Sequence, residues 1–83
     1  MREDIKASLD RYAQSGVPTG GFLRAVLAND LMDAMGRAYS ENKYAIHEIA
    51  SYVYNELPAE CHGSYEKVDA WIKKKLEERK VGT

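Results

Sequence analysis

The chain has 83 residues, which is enough for one small domain and too few for a second core. Twelve lysines and arginines oppose thirteen aspartates and glutamates, and the net charge of −1 argues against a general nucleic-acid binder. No apolar run approaches the roughly 20 residues of a membrane span, and the charged start MREDIKASLD lacks the apolar core of a signal peptide. Cys61 is the single cysteine, so there is no disulfide framework. We expect a single domain over residues 1–83, located in the cytoplasm and without a membrane partner.

The composition is rich in helix-forming residues and no stretch alternates in the manner of a strand, which predicts an all-α fold. The first helix is predicted over residues 2–14, where Ile5, Leu9 and Tyr12 share one face. Gly16 ends this helix. The short connections that follow predict a compact bundle of about four helices. Because the core of such a small bundle is limited, we also expect a homo-oligomer.

The second helix is predicted from residues 19–21 to residues 37–38. Its apolar stripe consists of Leu23, Val26, Leu27, Leu31, Ala34, Met35 and Ala38. Asp30 falls inside the stripe, where a carboxylate needs a partner, so we expect a structural anchor that meets backbone N–H groups, Arg or Tyr. A break near Asn29 and Asp30, with one of them capping a new helix, is the alternative to one continuous and bent helix. We favour the continuous helix.

Two further helices complete the predicted bundle. The third is predicted over residues 41–57, with Ser40 as its N-cap and Pro58 as its stop. Its shared face consists of Ile46, Ile49, Ala50, Val53 and Leu57. The fourth is predicted over residues 65–79, with Ser64 as its N-cap. Its core face consists of Val68, Ile72, Leu76 and the structural Trp71.

The stretch GVPTGGF places two adjacent glycines directly before the second helix. Thr19 can cap this helix, and Gly20 and Gly21 leave its first N–H groups unshielded. Such a helix end binds phosphate or carboxylate, and Arg24 could add a bidentate clamp. With Tyr12 as a stacking ring, these residues form the predicted ligand-binding site. The alternative is that the glycines only permit close packing of the first two helices.

The chain has six tyrosines and one phenylalanine. Tyrosine suits surfaces that combine apolar and polar contacts. Tyr44 and Tyr52 lie away from the apolar face of the third helix. Together with Tyr54 they are the predicted interface residues. The alternative is that these rings are half buried at the rim of the core.

The residues that could support catalysis or metal binding form no known motif. His47 and His62 with Cys61 could suggest a metal, but Cys61 and His62 are adjacent, and there is neither a C-x-x-C pair nor an H-x-x-x-H pair. No G-x-S-x-G nucleophile motif is present, and adjacent side chains on a turn usually diverge. We therefore expect no metal, no cofactor and no enzyme activity, and we interpret Cys61 as a small buried apolar residue.

A spaced set of Gly, Pro, Cys and Trp positions extends over residues 9–72. The pattern is G-x-P-x-GGFL-x-AVL-x-NDL, then YN ahead of a proline, then C-x-GS and V-x-x-W. The matching positions are Gly16, Pro18, Gly20–Leu23, Ala25–Leu27, Asn29–Leu31, Tyr54, Asn55, Pro58, Cys61, Gly63, Ser64, Val68 and Trp71. This pattern resembles a family of small helical proteins that are encoded by phages and prophages.

The resemblance implies a biological context. Small accessory phage proteins without an enzyme motif often inhibit a host defence enzyme, or sequester a nucleotide immune signal as oligomers. The expected function is a non-enzymatic inhibitor of host antiviral defence in the host cell cytoplasm. It would bind a nucleotide second messenger or dock on a host defence protein. The alternatives are a structural or assembly protein without a ligand, and an enzyme, which the missing motifs disfavour.

Overall fold

The structure is a computed structural model that describes residues 1–38 and 45–81. These residues form α1 (Glu3–Ser15), α2 (Gly21–Leu27), α3 (Leu31–Arg37), α4 (Ile46–Glu56), a 3-10 turn (Ala59–Cys61) and α5 (Tyr65–Val81). No strand occurs in these two ranges, which confirms the all-α prediction. Residues 1–38 and 45–81 contain five α-helices where about four were predicted for the chain, because the second predicted helix is split. The predicted N-cap Ser40 and the predicted helix start at residue 41 lie outside the described residues.

The first helix has the predicted apolar face and the predicted end. Its buried residues are Ile5, Leu9 and Tyr12. Gly16 has the left-handed φ of 69° that ends many helices, and its N–H donates to the Tyr12 carbonyl at 2.8 Å. A Cβ added to Gly16 would lie 2.5 Å from Cβ of Lys75 on α5. Gly16 therefore ends α1 and also permits the close approach of α5.

The prediction of one continuous second helix is wrong, and the physical reason lies at Asn29 and Asp30. Asn29 has a left-handed φ of 62°. Its N–H donates to the Val26 carbonyl at 3.1 Å, and the N–H of Asp30 donates to the Ala25 carbonyl at 2.8 Å. This pair of bonds is a Schellman motif, which closes α2. Asp30 then acts as N-cap of α3, since its carboxylate accepts from the Asp33 N–H at 3.2 Å.

The break changes which apolar side chains reach the core. Leu23 and Leu27 on α2 are buried as the predicted stripe requires, and Ala34 is the buried residue of α3. Leu31 and Met35, which belong to the same predicted stripe, are exposed. They are exposed because α3 does not continue the helical phase of α2.

The last helix, α5, packs against one side of the core. Ser64 caps α5 as predicted, since its hydroxyl accepts from the Lys67 N–H at 3.1 Å. Val68 and Trp71 are buried, and α5 packs on α1, on α2 and on the 3-10 turn. The core cluster consists of Ile5, Leu9, Tyr12, Leu23, Leu27, Ala28, Ile49, Val53, Leu57, Cys61, Val68 and Trp71. Leu76, which was predicted on the core face of this helix, is exposed.

Candidate binding site

The glycine-rich turn before α2 differs from the predicted anion loop. Gly20 is the N-cap residue and no side chain caps α2, while the Thr19 hydroxyl donates to the Gly20 carbonyl at 3.2 Å. The prediction that Thr19 caps this helix is therefore wrong. A Cβ on Gly20 would have no atom within 4 Å, and a Cβ on Gly21 would first meet the Arg37 side chain of α3 at 2.8 Å. Neither glycine is therefore needed for close packing against α1, and their ligand role stays a prediction.

Arg24 belongs to a charged cluster that joins α2, α3 and α5. Its guanidinium donates to both carboxylate oxygens of Asp69, at 2.8 and 3.3 Å, and lies 5.1 Å from the centroid of the Tyr65 ring. Arg37 donates to the Asp33 carboxylate at 2.7 Å. A cleft of about 120 Å³ is lined by Gly21, Arg24, Asp33, Arg37 and Tyr65. The structure thus brings Arg24 and Gly21 together, with a second arginine beside them.

Two carboxylates beside this cleft, Asp69 and Asp30, are held in the ionised form. The hydrogen bond from Arg24 lowers the pKa of Asp69, and the hydrogen bond from the Tyr65 hydroxyl, at 2.7 Å, lowers the pKa of Asp30. Both guanidinium groups that line the cleft therefore have a carboxylate partner. An anion that enters the cleft must compete with these internal partners.

Tyr12 is a core residue and offers no ring to a ligand. Its side chain is fully buried, its hydroxyl donates to the Cys61 carbonyl at 2.6 Å, and burial raises the pKa of the phenol. Its own carbonyl accepts from Trp71 Nε1 at 3.1 Å. The predicted stacking role of Tyr12 is therefore wrong. Its helical spacing from Leu9 already places it on the core face of α1, and that signal outweighs its aromatic chemistry.

The three predicted interface tyrosines lie in different environments. Tyr52 is half buried and its hydroxyl donates to the Asp10 carboxylate of α1, so it connects α4 to α1. Tyr54 is 78% exposed. Tyr44 lies outside the described residues. Tyr52 fits the alternative of a half-buried ring at the rim of the core, Tyr54 presents its ring to solvent, and the interface role of both stays a prediction.

Asp30 and Trp71, the two predicted structural residues, connect elements that are distant in the sequence. One Asp30 oxygen accepts from the Asp33 N–H and the other from the Tyr65 hydroxyl, so this carboxylate joins α3 to α5. Trp71 is buried and donates to the Tyr12 carbonyl, so it joins α5 to α1. The Asp30 partners, a backbone N–H and a tyrosine, are of the kind that the sequence predicted, and for Trp71 the sequence predicted its burial on the core face.

The largest exposed apolar side chains of α3 were not predicted as a site. Leu31 is 62% exposed, Met32 is 82% exposed and Met35 is 45% exposed. Spacings of three and four residues make these side chains neighbours on the helix surface. We call them the α3 face. The Asn29–Asp30 pair was the signal that could have revealed it, because a break there removes Leu31 and Met35 from the core stripe.

A second surface is a groove of about 510 Å³ between α2, α4 and the loop before α5. Val26, Leu27, Ala50 and Val53 supply apolar walls, while His62 and Lys67 bring polar groups, and no Asp or Glu lines it. Cys61, next to His62, is fully buried, and burial raises the pKa of its thiol to about 11. A thiol in this state is a poor nucleophile, because the thiolate is the reactive form.

The described residues thus define an all-α protein with an exposed apolar helix face, a paired charge cluster and an apolar groove. In residues 1–38 and 45–81, no group of three or more His, Cys, Asp or Glu side chains is placed to hold a metal ion. None of the helices in this part of the chain is long and apolar enough to cross a membrane. Comparison with protein-family models, with curated proteins and with solved structures finds no match.

Proposed function

We propose that the protein is a non-enzymatic binding protein that docks on a host defence protein through the α3 face. The observation that carries this proposal is the exposure of Leu31, Met32 and Met35 on one short helix. Water contact with clustered apolar side chains is unfavourable, and a partner that covers them recovers that free energy. Methionine side chains are flexible and polarizable, and they adapt to the shape of a partner.

The surroundings of the α3 face have the anatomy of an interface. Asp33 and Arg37 form an ion pair on the same helix, one turn apart, and both are partly exposed. Charged groups around an apolar centre are typical of protein interfaces, in which the centre supplies affinity and the rim supplies orientation. The α3 face is therefore the apolar centre and the Asp33–Arg37 pair is part of the rim.

The choice of a host defence protein as the partner is supported by the resemblance to small phage and prophage proteins. Homo-oligomerisation uses the same α3 face in this proposal. Two copies related by a twofold axis would place each α3 face against the other and cover both. Self-association and partner binding would then compete for one surface.

Met32→Glu is expected to abolish the inhibition of host defence while the fold stays intact. In the complex, a carboxylate at the centre of the covered surface would be desolvated without a partner. In the free protein, a substitution at an exposed position changes the free energy of unfolding by only about 0.5 kcal/mol. The measurement is phage infection of defended bacterial cells that express the wild type or the variant. Lys73→Gln is the charge-matched control, because Lys73 is exposed and lies on α5, not on α3. Equal restoration of phage infection by the wild type and by Met32→Glu would contradict the proposal.

A second candidate function is sequestration of a nucleotide, whose phosphate group alone would occupy the cleft of about 120 Å³ beside Arg24 and Arg37. A nucleotide at about 100 times its Kd would stabilise the protein by about 2.7 kcal/mol and raise the Tm. Asp69→Asn is expected to strengthen this effect because it releases the Arg24 guanidinium, and Arg24→Ala is expected to remove it. A panel of linear and cyclic nucleotides in thermal unfolding measures both. Absence of any shift with the wild type and with Asp69→Asn would eliminate this candidate and leave docking on a protein.

A further inference from the structure

The apolar groove is separate from the α3 face, since no residue of Leu31–Arg37 lines it. Its volume of about 510 Å³ lies within the range of small-molecule sites. The walls from α2 and α4 are mainly apolar, with Asn29 and the Tyr54 phenol as their polar groups, and the positive charge and the imidazole come from Lys67 at the start of α5 and from His62 in the loop before it. This separation of apolar walls from a polar end suits an amphipathic ligand.

Lys67 supplies a positive charge at the polar end of the groove. Its ammonium group has no carboxylate partner within residues 1–38 and 45–81. The Lys67 side chain runs along Gly63, with Nζ 3.6 Å from the position that a Cβ on Gly63 would occupy. The backbone at Gly63 is itself fixed, because its N–H donates to the Leu27 carbonyl at 2.7 Å. The charge therefore lies over a fixed backbone turn.

His62 supplies a buried polar atom without a partner. Its Nε2 is the one buried side-chain nitrogen or oxygen in the described part of the chain that makes no hydrogen bond. Buried polar atoms are almost always hydrogen bonded, so an unpartnered one at a groove needs an explanation. Burial and the nearby Lys67 charge lower the pKa of His62, while a hydrogen bond with the backbone of Leu57 opposes them. The other titratable group that lines the groove is the Tyr54 phenol, and α2 contributes none.

We propose that this groove binds a small apolar monocarboxylate, with its hydrocarbon against α2 and α4 and its carboxylate facing Lys67 and His62. The carboxylate would neutralise the Lys67 charge. Because Nε2 has no exposed surface in this structure, the His62 ring would have to turn toward the groove, where it would take up one proton from solvent and donate it as a hydrogen bond to the bound anion. A neutral apolar ligand would leave Lys67 without a counter-charge.

The first test is titration of the protein with octanoate, with the backbone amide chemical shifts in NMR as the readout. Octanoate is expected to shift the amides of the groove, and Lys67→Met is expected to weaken its binding by about tenfold, as for loss of a charge-assisted hydrogen bond. Lys73→Met, a matched change on the same helix, is expected to leave the affinity unchanged. Equal weakening by both variants, or no groove shifts with the wild type, would overturn the proposal.

The second test is the pH dependence of octanoate binding. Because the bound anion raises the pKa of His62, binding takes up a proton, and the affinity is expected to rise as the pH falls from about 8 towards about 6. The carboxylate of octanoate stays ionised over this range. The variant His62→Gln is expected to bind octanoate with an affinity that does not depend on pH. Binding of octanol to the wild type is likewise expected to be independent of pH. An octanoate affinity that is independent of pH would overturn the proton-linked site. The variant Met32→Glu is expected to bind octanoate normally, so this result is independent of the docking proposal.

Discussion

Trp71→Ala is expected to lower the free energy of unfolding by about 3–5 kcal/mol, the range for removal of a large buried aromatic side chain. Trp71 is a member of the core cluster, and its Nε1 donates to the Tyr12 carbonyl across the contact between α5 and α1. Since a domain of this size has a total stability of roughly 5–12 kcal/mol, the variant would be close to unfolding. Urea denaturation followed by far-UV circular dichroism measures the loss without the tryptophan signal.

The control for this prediction is Trp71→Phe, which keeps most of the apolar volume and removes the indole N–H. It is expected to lower the stability by less than Trp71→Ala, by about 1–3 kcal/mol, because one acceptor loses its buried partner. If Trp71→Ala left the denaturation midpoint unchanged, the placement of α5 against α1 would be contradicted.

Gly16→Ala is expected to lower the free energy of unfolding by about 2–4 kcal/mol, because two separate costs act at one position. The first is the left-handed φ of 69°, which an alanine adopts at a cost. The second is overlap, since the new Cβ would lie 2.5 Å from Cβ of Lys75 and 3.3 Å from the Ile72 carbonyl oxygen. These atoms lie on or next to the backbone of α5, and they cannot move aside as a long side chain can. Thermal unfolding of the variant measures the loss.

Gly36→Ala is the matched control for Gly16→Ala. Gly36 lies within α3, has ordinary backbone geometry and would place a Cβ with no atom within 4 Å. Alanine there is expected to raise the stability by about 0.4–1 kcal/mol, since it restricts the unfolded chain. Equal effects of the two substitutions would show that α1 and α5 do not approach closely at Gly16.

The parts of the fold that the sequence predicted correctly depend on local signals. The apolar spacing of Ile5, Leu9 and Tyr12 predicted the buried face of α1, and Gly16 and Ser64 marked a helix end and a helix start. The break at Asn29 was weighed but not favoured. The apolar spacing of the two adjoining segments also fits one helix. The helix breaks because Asn29 adopts a left-handed φ, and the spacing of apolar residues carries no information about that angle.

The candidate site was harder to predict because partners far apart in the sequence decide it. The sequence shows that Arg24 lies near the start of the second helix. It does not show the pairing of Arg24 with Asp69, because these residues are 45 positions apart. Tyr12 was predicted as a ligand contact on its chemistry, although its position in the α1 pattern placed it in the core. The α3 face could not be predicted once a continuous helix was assumed, because that assumption buries Leu31 and Met35.

The central claim is that the α3 face is a protein interface, and one binding measurement tests it most directly. A host protein that copurifies with the wild type would be purified and titrated by calorimetry against the wild type, Lys73→Gln and Met32→Glu. We expect tight binding to the wild type and to Lys73→Gln, and an affinity at least about 100-fold lower for Met32→Glu, as for loss of an interface hot spot. Equal affinity of the partner for the wild type and for Met32→Glu would contradict the claim.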